Sequence, residues 1–180
     1  MEEKVNVWKA NLTNGVIMAL AGIAFSLVLY FLDLTFNKSV GYLNLPIQIG
    51  LLYFLLKSYR DNFMHGQITY GQSVGAGVVI FVYFSVIFAV YTYILWAVID
   101  PGLVKKSMAF AEDAMVKKGT PQAAIDAGMA FTAKIMKPGI MAFFSIFGSM
   151  FFGVIYTLLV SVFIKKEGNP LIDVPANQTE

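Results

Sequence analysis

Four stretches of this chain contain no Lys, Arg, Asp or Glu: residues 10–32, 39–56, 62–99 and 138–164. Crossing about 30 Å of hydrocarbon takes about 20 mostly apolar residues in a helix. Three of the runs exceed that length, and 39–56 approaches it. The composition agrees, at 58% apolar and 13% charged residues, against about 45–50% and 25% in soluble domains. The expected fold is therefore an all-α integral membrane protein with four transmembrane helices. The first apolar run far exceeds the 7–15 residues of a signal-peptide core, so it is expected to be a retained span.

Local signals place the ends of the elements. Residues 1–13 form a polar lead-in with Glu2, Glu3, Lys4 and Lys9, and Trp8 suits the interface. The first span is expected at about 14–35, with Tyr30 and Asp33 at its far end and the small pairs Gly15/Ala19 and Gly22/Ser26 for close packing. Pro46 suits a helix's first turn, so the second span is expected at 46–60. That leaves 39–45 irregular, which is tolerated at membrane depth only when packed within the bundle. Thr69 and Gln72 form a capping box that opens a third span over 70–99, with Gly71 and Gly75 as a GxxxG step. The fourth span, 138–164, carries Ser145, Ser149 and Gly153 as a small-residue seam.

Residues 103–137 are of a different kind, with Lys, Asp and Glu scattered among Ala and Met. Val104, Met108, Ala111 and Met115 repeat at helical spacing, as do Ile125, Met129, Thr132 and Met136. Thr120-Pro121 marks the start of the second helix. An amphipathic helical hairpin is expected between the third and fourth spans, outside the bilayer or along its surface. Residues 165–180 form a polar tail, expected to be disordered.

Lys57 and Arg60 anchor one membrane face, and Lys165 and Lys166 anchor the same face from the end of the last span. Six basic residues (Lys4, Lys9, Lys57, Arg60, Lys165, Lys166) face seven on the other side, mostly in the hairpin. Charges close to span ends in short segments decide orientation. Lys117 and Lys118 are far from any span, and acids offset the other hairpin lysines, so both termini are expected in the cytoplasm. The chain has no cysteine, so a single Cys introduced at Ser58 or Ser107 would report the sidedness.

No catalytic, nucleotide-binding or metal-binding constellation is visible. Lack of cysteine removes thiol chemistry, His65 stands alone, and the methionines at 108, 115, 129 and 136 are expected to be adaptable packing rather than ligands. No cofactor and no metal is expected, and a net charge of +2 gives no basis for nucleic-acid binding. The one polar group worth naming is Asp33, Asn44, Gln48, Tyr93, Trp96, Asp100 and Lys137, all expected at one end of the bundle. These residues could form a ligand pocket, with Asp33 or Asp100 holding a cation or proton. The preferred reading is the plainer one, that they cap helix ends, sit among headgroups or hydrogen-bond between helices.

The hinge Tyr59-Arg60-Asp61, the segment His65-Gly66-Gln67-Ile68-Thr69-Tyr70-Gly71, the mixed-charge insert and the Lys165-Lys166 tail resemble an uncharacterised membrane family of Bacteroidetes, domain of unknown function 4199. The resemblance covers nearly the whole chain. It implies a bacterial inner-membrane location; it implies no activity and no site residues. Two classes of function follow from the residues. The first is a non-enzymatic structural or accessory protein that uses its small-residue seams and hairpin stripe to meet lipids, a second copy or a membrane-protein partner. The second is a small transporter or ligand- or lipid-binding protein using the polar cluster. An enzyme comes last, because no acid–base pair can be nominated.

Overall fold

The structure is a computed structural model that describes residues 5–167. Glu2, Glu3, Lys4 and the tail from 168 onward lie outside the described residues. Seven α-helices follow in order: α1 (Val7–Phe31), α2 (Lys38–Gly41), α3 (Asn44–Phe63), α4 (Tyr70–Ile94), α5 (Gly102–Lys117), α6 (Gln122–Ile135) and α7 (Pro138–Ile164). A π-helical turn, Leu95–Ile99, extends α4. Four helical segments are long and apolar enough to cross a membrane: Val7–Phe31, Lys38–Phe63, Tyr70–Ile99 and Pro138–Ile164. The chain is an all-helical, multi-pass membrane protein with a helical hairpin between its third and fourth spans.

Helix α1 begins at Val7, a full two turns before the expected Asn14. Asn6 caps it, its side chain accepting from the backbone N–H of Trp8 at 3.0 Å and Lys9 at 3.2 Å. Asn11 and Asn14 make this stretch look polar in sequence, yet both are buried in the helix. The Asn11 amide donates to the Val7 carbonyl, and the Asn14 amide donates to Asn11, each at 3.0 Å. A buried amide costs little once it is hydrogen-bonded, so the helix runs through them.

The second span also departs from expectation. Residues 39–45 are neither irregular nor packed inside. Asn37 caps the short α2 by accepting from the Val40 N–H at 3.2 Å. Only Tyr42 and Leu43 separate α2 from α3, and they are 72% and 54% exposed. Pro46 is the third residue of α3, where the backbone N–H has no partner inside the helix in any case. Proline therefore permits the earlier start. At its other end α3 runs on to Phe63.

Four spans alternate in direction and form a ring. Helix α4 packs along both α7 and α1, and α3 completes the ring by touching α1 and α7. Side chains sit in notches left by glycines on the facing helix: Thr157 against Gly77, Phe81 against Gly153, Tyr83 against Gly15, and Phe84 against Gly22. Such close approach is how helices associate in lipid, where the hydrophobic effect gives no drive. A Cβ on Gly71 or Gly75 would have nothing within 4 Å; Gly77 is the glycine that takes a facing side chain on this part of α4.

Packing is uneven along the bundle axis. The core consists of Met18 and Ala19 of α1, Leu52, Leu55, Leu56 and Tyr59 of α3, Ala76, Ile80, Phe81 and Phe84 of α4, and Val160 and Ile164 of α7. Buried positions on α1 stop at Gly22, those on α3 begin at Leu52, and those on α7 begin at Gly153. The bundle is thus closed in one half and splayed in the other. The closed end is tied by polar contacts: Ser73 donates to Ser161 at 2.9 Å, Tyr70 to the Leu158 carbonyl at 3.2 Å, and Arg60 to the Ile164 carbonyl at 3.2 Å. Outward faces are strongly apolar in both halves, with Phe143, Phe147, Phe151 and Phe163 of α7 all more than half exposed.

Helices α5 and α6 pack mainly on each other. Ser107 donates to the Met136 sulfur at 3.0 Å, and Met115 lies against Gly128. All eight stripe positions, from Val104 to Met136, are buried or half-buried. The stripes are thus turned inward instead of being presented to a partner or to lipid.

Candidate functional site

The splayed half of the bundle holds an open-sided cavity of about 460 Å³, lined from all four spanning segments. Helix α1 contributes Gly22, Phe25, Ser26 and Leu29, and α7 contributes Ser145, Gly148, Ser149, Phe152 and Tyr156. Each set recurs every three or four residues, as required of a single helix face. Helix α3 presents Asn44 and Gln48 at the same spacing, α4 adds Phe84 and Phe88, and Thr35 and Gly41 border the outer end. Ligand pockets in proteins span about 300–1,000 Å³, so the space is of functional size. Its lining contains no charged side chain.

Gly22, Ser26, Gly41, Ser145, Gly148 and Ser149 leave little bulk between the larger side chains that also line the cavity. Gly148 has nothing within 4 Å of where a Cβ would be. Ser145 returns its hydroxyl to the Ala142 carbonyl at 2.7 Å, and Ser26 accepts from the Tyr91 hydroxyl at 3.0 Å. The Asn44 and Gln48 amides are half-buried at the cavity wall. Each carries two donors and one acceptor oxygen, which makes this pair the main polar feature available to a ligand.

The residues expected to form one polar cluster fall into two groups. Asn44 and Gln48 line the cavity, and Ser145 and Ser149 line it too instead of forming a packing seam; Gly153 packs on Phe81. Asp33 and Asp100 belong elsewhere, at the base of the hairpin. Lys106 lies 3.8 Å from the Asp33 carboxylate and 4.0 Å from that of Asp100. Asp33 has a left-handed backbone with φ of 55° and its side chain is 92% exposed. Asp100 accepts from the Gly102 N–H at 2.9 Å and from the Tyr30 hydroxyl at 3.4 Å, which starts α5 and ties it to α1. Tyr93 is 48% exposed on the outside of α4, Trp96 meets the Phe36 ring edge-on, and Lys137 precedes α7 at its N-cap.

Phe36 is also stacked on Phe110 of α5 at 5.9 Å, and the Lys38 ammonium lies 5.7 Å from the same Phe110 ring. The hairpin is therefore held beside the cavity's outer border at Thr35. At the opposite end, Lys57 and Lys165 are exposed, Arg60 pairs with Asp61 at 2.8 Å, and Lys166 joins the α3–α4 loop through its backbone. His65 is exposed in that loop, with φ of 50° beside Gly66 at 80°. Among the described residues, no three His, Asp or Glu side chains converge as a metal site would require.

Sequence reasoning missed Phe25, Phe84, Phe88, Phe152 and Tyr156 as lining residues, and took Ser26 as packing. The available signal was the way Ser26 and Gly22, Ser145 and Ser149, and Asn44 and Gln48 all cluster toward the same end of their helices.

Over residues 13–166 the chain matches the family described as Protein of unknown function (DUF4199). It belongs to that family. No curated protein and no solved structure matches the chain. The family match covers α1 from residue 13 and the other three membrane segments and the hairpin in full, so every residue of the cavity lining falls inside it.

Proposed function

We propose that this chain is a non-enzymatic protein of the bacterial inner membrane that holds an uncharged ligand in the splayed half of its bundle. One observation carries the reading: a cavity of about 460 Å³ bounded by all four spans, with the Asn44 and Gln48 amides on its wall and no charge in its lining. Polar side chains at membrane depth are costly unless something engages them. The accessory or scaffold reading has less support. Of the seams on which it rested, Gly15, Gly22 and Gly153 are taken up by contacts inside the monomer, whereas Gly71 and Gly75 stay open, and the hairpin stripes are buried or half-buried.

The orientation that fits best puts the closed end and both termini in the cytoplasm. Lys9, Lys57, Arg60, Lys165 and Lys166 gather at that end, close to the span ends where basic residues weigh most. At the hairpin end, Lys106 lies between two aspartates and Lys117 pairs with Asp113 at 2.6 Å.

The test is native mass spectrometry of protein extracted from its own membranes, in wild-type and Gln48→Leu forms. The expected result is a bound small molecule in the wild type and markedly reduced occupancy in the variant. Equal occupancy in both, or a stoichiometric protein partner with no small molecule, would count against the proposal.

A further inference from the structure

We infer that the ligand is a neutral lipid with a single apolar chain, its head at Asn44, Gln48 and Ser149 and its chain directed toward Phe84, Phe152 and Tyr156. This rests on the reading of the cavity as a ligand site. Four features of the lining point to that class.

One wall changes character with depth. Along α7 it runs from Ser145 and Ser149 to Phe152 and Tyr156, with Asn44 and Gln48 of α3 on the polar part, while Phe25 and Leu29 of α1 and Phe88 of α4 line the outer part of the pocket as well. The polar-to-aromatic order on the α3 and α7 side repeats the orientation of a lipid in that leaflet. The length fits as well. From Ser145 to Tyr156 along α7 the cavity wall runs about 16 Å at 1.5 Å per residue, close to half of the hydrocarbon core of about 30 Å.

Size and charge narrow the class. At about 460 Å³ the pocket lies in the lower half of the range of about 300–1,000 Å³ for ligand sites, room on the scale of a single chain. With no cation in the lining, a phosphate or carboxylate head would give up hydration without gaining a counter-charge. An alcohol, ester or ketone head can accept from and donate to the two carboxamides at no such cost. A molecule arriving from the bilayer gains little from moving its chain between two apolar surroundings. Recognition therefore resides in the head and its hydrogen bonds with Asn44 and Gln48.

The probe is monopalmitoylglycerol bearing a chain diazirine, photolysed with the full-length protein in lipid nanodiscs and mapped by mass spectrometry. The expected result is labelling at Phe84, Phe152 or Tyr156 that unlabelled monopalmitoylglycerol competes away and a lysophospholipid of the same chain does not. Gln48→Leu should weaken that competition about tenfold, the effect of losing one well-made hydrogen bond. Labelling spread over the outward Phe143, Phe147 and Phe163, or equal competition by the lysophospholipid, overturns the neutral-lipid assignment.

Ser149→Cys, the only thiol in an otherwise cysteine-free chain, separates the two levels of the claim. Modification by a small water-soluble methanethiosulfonate should block lipid labelling by filling the cavity of an already folded protein. Modification of the variant without any specific lipid labelling in the wild type would leave a water-soluble ligand as the occupant and sink the lipid proposal alone. Absence of both modification and specific labelling would overturn the cavity itself, and the proposed function with it.

Discussion

Ile68 and Lys166 pair through their backbones, each N–H donating to the other's carbonyl at 2.9 Å. The pairing links the loop between α3 and α4 to the chain leaving α7, and Ile68 is only 1% exposed beneath it. Because the backbone makes these bonds, the Lys166 side chain is dispensable and its N–H is not. Lys166→Pro should lower stability by about 1 kcal/mol, the net worth of a hydrogen bond. Lys166→Ala should stay within about 0.5 kcal/mol, as surface changes usually do. Reversible unfolding in mixed micelles measures both, and equal losses would refute a backbone role.

The glycines of α4 and α7 make an opposite pair of predictions. A Cβ on Gly153 would overlap the ring of Phe81, whereas one on Gly71 or Gly75 meets nothing within 4 Å. Overpacking a tight contact costs about 1–3 kcal/mol, so Gly153→Ala should destabilise by that amount and Gly71→Ala should not. Adding Phe81→Leu to Gly153→Ala should recover part of the loss, since contacting residues are energetically coupled. The same unfolding assay reads the cycle; strict additivity would show that the two residues do not share a contact.

Where the chain signalled its structure locally, the sequence was informative. The Thr69–Gln72 capping box is present, with Gln72 N–H to Thr69 at 3.2 Å and Thr69 N–H to Gln72 at 2.9 Å. Pro138 opens α7 and Lys165 follows its last residue. Other features depended on partners that a single chain pattern does not reveal. The start of α1 was set too late because the chain pattern does not reveal that Asn11 and Asn14 satisfy their amides within the helix itself. Gly71 and Gly75 had the spacing of a packing motif, but only the facing surface decides which glycine is used, and Thr157 chose Gly77. The cavity was hidden for a related reason: it depends on where four helices stop touching, which no one of them encodes.

Asp33 and Asp100 looked alike in sequence and have different roles. Asp100 accepts from the Gly102 N–H at the start of α5, so Asp100→Ala should cost about 1 kcal/mol, as loss of a helix cap does. Asp100→Asn keeps an acceptor oxygen and should be milder. Asp33 is almost fully exposed, and its contact with Lys106 belongs to the class of surface pairs worth about 0–1 kcal/mol. Asp33→Asn should change neither stability nor ligand retention. Limited proteolysis of the hairpin, together with ligand occupancy, would reveal the difference. Loss of ligand in Asp33→Asn would return this residue to the binding site.

Orientation is testable with the same cysteine-free background, but the reporter has to be chosen from the structure. Ser107 is 6% exposed and bonded to the Val104 carbonyl and the Met136 sulfur, so a thiol there would be protected on either side of the membrane. Lys118, exposed at the turn between α5 and α6, is a better position, and Ser58 is exposed near the closed end. In intact cells an impermeant maleimide should label Lys118→Cys and leave Ser58→Cys untouched until the membrane is opened. That pattern would place the hairpin outside and the cavity in the outer leaflet of the membrane, reached without crossing the closed half. The reverse pattern would put the termini outside and the cavity within reach of lipids in the cytoplasmic leaflet. The positive residues at the closed end would then have to be explained by something other than the usual retention of basic segments in the cytoplasm.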